Sequence, residues 1–153
     1  NKNNFSFNKR IEISIFETNP FLINKRPSLI EYSAFYGSIQ IFTFLQFNNA
    51  KLEPSLWLYS IHSNNPEIIH RLETLQIDPE DKSYTECLKE SIKCHHNGIS
   101  DYIEQNLLKR NENDIDEQII SYGIKYYNYS YFPKQFKQEY IFYHMSKYNP
   151  DYF

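Results

Sequence analysis

Residues 33–45 set small residues and a lone glycine, Ser33-Ala34 and Gly37, ahead of the apolar residues Ile41 and Leu45. Two short helices folded back across a tight turn satisfy that spacing, because apolar residues recur at helical intervals and glycine accepts a left-handed turn. Residues 55–73 repeat the pattern 27 positions later. Self-similarity at such a period constrains the chain more than any other feature, since a hairpin that cannot bury its faces alone has to stack on the next one. The expected fold is all-α, a solenoid of stacked antiparallel helix pairs.

Superposing the hairpins places Ala34, Ile61 and Ile92 at one site, Ile41, Ile68 and Ile99 at a second, and Leu45, Leu72 and Ile103 at a third. Leu29, Leu56 and Cys87 fall close to a fourth, and Trp57 aligns with Ile30 and Leu88 as a core residue. Ser28 with Glu31, and Ser83 with Glu86, have the spacing of a capping box, in which two side chains satisfy each other's orphan amides. Asn65 before Pro66 offers a capping side chain and then a residue whose missing N–H costs nothing at the first helical position. The same punctuation recurs at Asn19-Pro20 and Asn149-Pro150. Tyr84, Cys87, Leu88, Ser91 and Ile92 form a helical stripe, which Ile99, Tyr102, Ile103 and Leu107 resume after the His96-Asn97-Gly98 break.

The flanks are less regular. Residues 10–20 match the first helix of the middle repeat at Ser14-Ile15 and Asn19-Pro20, but Pro27 arrives too soon for a full second helix. Residues 1–26 therefore read as a degenerate N-terminal repeat or cap, although the alternation Ile11, Ile13, Ile15 leaves a strand open. Residues 27–108 form the repeat block. In residues 109–153, a polar linker at 111–114 precedes a divergent repeat with a helical face of Ile119, Ile120, Gly123, Ile124 and Tyr127. An aromatic segment ends at Pro133, and the spacing of Ile141, Met145 and Tyr148 starts a truncated further repeat whose partner helix would begin at Pro150. On this reading the array continues beyond Phe153.

Sixteen basic and 19 acidic residues, scattered along the chain for a net charge of −3, leave no electrostatic footprint for a phosphate backbone. Nucleic acid is not an expected partner; the basic clusters Lys9-Arg10 and Lys109-Arg110 are too short to form an arm. No apolar run approaches the roughly 18 residues of a membrane span. With only Cys87 and Cys94, a reduced, intracellular and cytoplasmic location is expected. The start at Asn1 rather than at methionine suggests a piece of a longer polypeptide, leaving open a targeting signal upstream.

On these residues the chain resembles the ankyrin-repeat family: Ser33-Ala34, Gly37, Ile41 and Leu45 follow its pattern of two alanines, a glycine, then aliphatic pairs. The likeness covers residues 27–108. More narrowly, residues 28–38, 54–62 and 91–97 resemble divergent ankyrin-type repeats of large protein families in single-celled parasitic eukaryotes, much of whose sequence is catalogued as a domain of unknown function. The resemblance implies an ankyrin-like solenoid acting as a non-enzymatic protein–protein interaction scaffold, with no cofactor. The Thr-Pro-Leu-His opening of the family is reduced to Ser28-Leu29-Ile30-Glu31 and Ser55-Leu56-Trp57-Leu58, and the middle glycine is Asn64. The 27-residue step is shorter than the usual 33 or so, which leaves less chain for the hairpin fingers and shifts any binding surface to the helices.

Carried over position by position, the variable sites of the concave helix face fall on Tyr32, Phe35 and Tyr36, then Tyr59, His62 and Ser63, then Glu90, Lys93 and Cys94. Aromatic residues there suit a binding face, because they bury large area at small entropic cost. With 14 Tyr and 12 Phe in the chain, packing between repeats is the competing role. A structural spacer or self-association segment is the alternative function, and tyrosine phosphorylation cannot be separated from composition.

Metal binding and catalysis are not expected. Cys87 and Cys94 lie two helical turns apart, about 10 Å by the helix rise, too far to share a tetrahedral ion, and the adjacent His95 and His96 diverge. A cysteine nucleophile needs a positioned base and an oxyanion site, whereas Cys87 holds an aliphatic core position. Glu67, Glu73, Asp78, Glu80 and Asp81 cluster near helix ends, where capping explains them, and three isolated glycines make no phosphate loop.

Overall fold

Ser28, Asn65 and Asn19 each stand where a helix needs an acceptor for its first amides, and each caps one. The computed structural model describes residues 6–12, 14–108, 112–132 and 138–148. Ile13, Lys109-Arg110, Asn111, Pro133 and Asn149-Pro150 lie outside these. Among the described residues the chain is helical and carries no strand. In chain order the helices are α1 (Pro20–Lys25), α2 (Leu29–Phe35), α3 (Ile39–Phe47), α4 (Leu56–His62), α5 (Pro66–Thr74), α6 (Thr85–Lys93), α7 (Asn97–Tyr102), α8 (Glu112–Lys125) and α9 (Gln138–Tyr148). A π-helical turn (Ile103–Leu107) continues α7, and a 3-10 turn (Tyr129–Tyr131) follows α8.

The chain divides into two compact units, Asn1–Glu80 and Asp81–Phe153, so the division falls inside the stretch read as one repeat block. In the first unit, α2 packs on both α3 and α4, and α4 packs on α5. Each hairpin reverses through one left-handed residue, Gly37 (φ 69°) and then Asn64 (φ 51°). The following residue, Asn65, does two jobs: its Oδ1 accepts from the Glu67 N–H at 3.0 Å, and its Nδ2 donates to the Gly37 carbonyl at 3.0 Å. The second turn is thereby stitched to the first. Trp57 is fully buried, and its indole N–H donates to the Ile77 carbonyl at 2.5 Å.

In the second unit, α6 packs on α7 and α8, and α8 packs on α9. The left-handed reversal residues are His95 (φ 59°) and Tyr127 (φ 58°). Asn128, after the second of these, is buried and donates to the Ile92 carbonyl at 2.9 Å and to Asn97 Oδ1 at 2.8 Å. The device used by Asn65 thus recurs.

A column of small residues precedes each reversal. Ser33, Ser60 and Ser91 are buried, and each turns its hydroxyl onto a carbonyl of its own helix: Ser33 onto Ile30, Ser60 onto Leu56, Ser91 onto Leu88. Returning the hydroxyl to its own backbone keeps the polar group satisfied where two helices converge. Gly123 holds the corresponding place before Tyr127, and a Cβ there would lie 2.5 Å from the Phe132 ring.

The aligned positions follow the expected register except at Ile41 and at Leu29, which is only partly buried where its counterparts Leu56 and Cys87 are buried. Ala34, Ile61 and Ile92 are fully buried, as is Ile124, and Leu45, Leu72 and Ile103 are buried. At the second site Ile68 and Ile99 are buried, but Ile41 is 55% exposed. Phe42, the next residue, is the one that turns inward on α3. Three other expectations are corrected. Ser83 and Glu86 form no capping box: Tyr84 takes a left-handed conformation (φ 65°), and the Asp81 carboxylate accepts from the Glu86 N–H at 3.1 Å and from the Ser83 hydroxyl at 2.8 Å. A charged acceptor wins there because it also complements the helix dipole. Among the described residues of 10–19 no helix begins; they are irregular, with an isolated antiparallel bridge from Arg10 to Ser28. Glu112, Asn113 and Asp114, read as linker, belong to α8.

Glu31 joins these pieces. Its buried carboxylate accepts from the Ser28 N–H at 2.7 Å and the Ser28 hydroxyl at 2.9 Å, while its other oxygen accepts from the Ser55 hydroxyl at 2.5 Å. Arg10 approaches it to 3.9 Å and donates to the Arg26 carbonyl at 2.9 Å. Losing a cap and stranding buried donors costs about 2–4 kcal/mol, so Glu31→Ala is expected to lower unfolding stability by that amount in urea titrations. A loss below about 0.5 kcal/mol, the scale of an ordinary surface substitution, would show that the carboxylate holds nothing together.

Candidate interaction surface

α2 and α4 present the aromatic row expected on the concave face, but the structure divides it. Phe35 and Tyr59 are buried, at 8% and 2% exposure, whereas Tyr36 at the end of α2 is 56% exposed. Tyr32 and His62 are half-buried. Phe21 of α1, a residue outside the sequence reading, packs against the buried part of this row. Its ring lies 4.2 Å from His62, 5.1 Å edge-on from Tyr59 and 6.0 Å in a stack with Phe35, centroid to centroid. Phe35 and His62 are themselves stacked at 4.9 Å. The expected row is therefore not one continuous exposed groove. Burial pushes the Tyr59 phenol upward, and the Glu31 carboxylate adds to the effect.

Tyr32 and Tyr36 belong to a separate feature. Together with Phe7, Leu29, Ile41 and Phe44 they line an apolar groove of about 470 Å³ over the α2–α3 hairpin. The Tyr32 and Tyr36 rings lie 4.8 Å apart, and Phe7 meets Phe44 edge-on at 5.9 Å. A hydrogen bond with the Tyr32 side chain, then burial, raises the Tyr36 phenol to about 12. Ile41 and Phe44 are each more than half exposed. Composition carried a signal for them: α3 places Ile39, Ile41, Phe42, Phe44, Leu45 and Phe47 around most of its circumference, more than one buried stripe can use. α5, by contrast, confines its apolar residues to the buried Ile68, Ile69 and Leu72.

In the second unit, Glu90 and Lys93 form an i, i+3 ion pair at 2.8 Å on α6. Lys93 is exposed and Glu90 half-buried, so the pair presents neutralised charge. Cys87 is buried, and that burial, with Asp81 and Glu86 adding to it, drives its thiol upward. Burial, with Glu90 adding to it, raises Cys94 to about 11. Both thiols are thus held in the protonated, weakly nucleophilic form at neutral pH. His95 is the left-handed turn residue, its Nε2 within 3.0 Å of the Tyr126 carbonyl oxygen.

No family model matches the chain, and neither does any curated protein or solved structure compared with it. Among the described residues no helix is long and apolar enough to cross a membrane.

The Cys94 shift has a consequence for stability. Its thiol rises from the usual 9.0 to about 11 on folding, so the neutral form is favoured in the folded state. The stabilising contribution is whole below pH 9 and is lost as pH climbs through about 11. Melting temperature is expected to fall across that window more steeply for the parent chain than for Cys94→Ser. Parallel curves would uncouple the thiol from folding.

Proposed function

We propose that the chain is a non-enzymatic protein–protein interaction module built as an ankyrin-like solenoid of stacked helix pairs. The recurrent reversal residues Gly37, Asn64, His95 and Tyr127, and the buried small residues before them, support the repeat architecture. The apolar groove over α2 and α3 carries the functional reading. A concave apolar surface with more than half of Ile41, Phe44 and Tyr36 exposed is the kind that recognises a partner. The occupant that fits is an amphipathic helix of a partner protein. Its apolar face meets a lining of Leu29, Tyr32, Ile41 and Phe44, and the counterparts of Ile41 in the next hairpins, Ile68 and Ile99, are buried.

The alternative is a structural spacer, favoured by one observation: Phe35 and Tyr59 are buried by intramolecular packing and offer little surface. The two readings part over the groove. An amphipathic Leu/Lys helical peptide, titrated by fluorescence anisotropy, is expected to bind the parent chain and to lose roughly tenfold in affinity to an Ile41→Glu, Phe44→Glu double variant, the scale of about 1.4 kcal/mol. Proximity labelling in cells is expected to lose the same neighbours with the same variant. Equal peptide affinity with unchanged labelling would favour the spacer.

A further inference from the structure

Helix α1 has only six residues, Pro20–Lys25, far below the length at which a helix holds itself together in water. It exists because it is capped and seated. Asn19 Oδ1 accepts from the Phe21 N–H at 2.9 Å, Arg26 closes the helix in a left-handed conformation, and Leu22 is 2% exposed. Phe21 enters the space bounded by Phe35, Tyr59 and His62 at the ring distances given above, yet is only partly buried itself. The chain just before it is open to solvent: Ile15 is 92% and Phe16 84% exposed. A short helix that inserts one ring among three others, behind an exposed Ile15-Phe16 segment, has the form of a tethered ligand.

We propose that Phe35, Tyr59 and His62 form a recognition cleft for a short phenylalanine-bearing helix of a partner protein, and that α1 fills this cleft as an intramolecular ligand. The chemistry of the seated segment defines that of the partner. An aromatic ring enters among three others in edge-on, stacked and tilted contacts, and an Asn-Pro start fixes the helix end. Tethering makes α1 a strong competitor, since a short linker holds it at an effective concentration of roughly millimolar. A partner in trans engages the cleft when α1 lifts out, so the segment sets a threshold for binding. The cleft is distinct from the groove lined by Ile41 and Phe44, and its test leaves the groove reading untouched.

The probe is a fluorescein-labelled peptide of residues 17–26 of this chain, titrated by anisotropy against the full chain. Phe21→Ala in the protein is expected to tighten peptide binding at least about tenfold by removing the competitor. Adding His62→Ala to that variant reverses the gain, as does Phe21→Ala in the peptide. Equal binding by parent and Phe21→Ala proteins overturns the proposal. So does no binding by a Phe21→Ala protein whose circular dichroism and melting match the parent's. Should that variant unfold, hydrogen exchange on the parent chain decides. The amides of Ile23 and Arg26, bonded to the Asn19 and Leu22 carbonyls, are expected to exchange at least about tenfold faster than those of Tyr32 and Ser63 in the neighbouring hairpins. Exchange of α1 in step with α2 and α4 overturns it; peptide binding that survives Ile41→Glu, Phe44→Glu separates the cleft from the groove.

Discussion

Glu31 is a carboxylate taken almost wholly out of water, and the first unit is arranged around keeping it satisfied. Burying an ionised group is costly unless hydrogen bonds replace its hydration, and here Ser28 and Ser55 supply them while Arg10 supplies opposite charge. Ser28 opens α2, Ser55 precedes α4, and Arg10 ties back the residues ahead of α1. One side chain thus fixes the relative height of two helix starts and the path of the N-terminal segment. α1 lies next along that path, and its Phe21 packs against Phe35 and Tyr59.

Hairpin reversal imposes the second constraint. A single left-handed residue turns the chain at Gly37, Asn64, His95 and Tyr127, although only the first is a glycine. The other three carry the conformational cost of a side chain at positive φ, and the surrounding contacts offset it. Asn65 and Asn128 do this by donating to carbonyls of an earlier hairpin in their own units. Residues four positions before each reversal are small because the two helices converge there, which explains Ser33, Ser60 and Ser91 and places Gly123 under Phe132.

An aromatic-rich chain has more apolar surface than two-helix hairpins can bury, and the remainder is where recognition becomes possible. The first unit disposes of this surface in two ways. One set of rings, around Phe21, closes on itself; another, around Ile41 and Phe44, stays open. Of the residues read as a binding row, Tyr32 and Tyr36 line the open groove, Phe35, Tyr59 and His62 the closed cleft, and Glu90 and Lys93 pair with each other on α6.

The hairpins of α2 to α5, the caps at Ser28, Asn65 and Asn19, and the buried column of Ala34, Ile61 and Ile92 were legible from the residues alone, because capping and helical periodicity act over one or two turns. The failed capping box at Ser83 shows the edge of that legibility: the spacing was right, but a carboxylate two residues earlier competed better. Exposure of Ile41 beside burial of its counterparts Ile68 and Ile99, and burial of Tyr59 beside exposure of Tyr36, were decided only by tertiary structure. Periodicity states which residues share a face of a helix. Whether another element arrives to cover that face depends on residues distant in sequence, as Phe21 is from Tyr59, and no local pattern encodes their meeting.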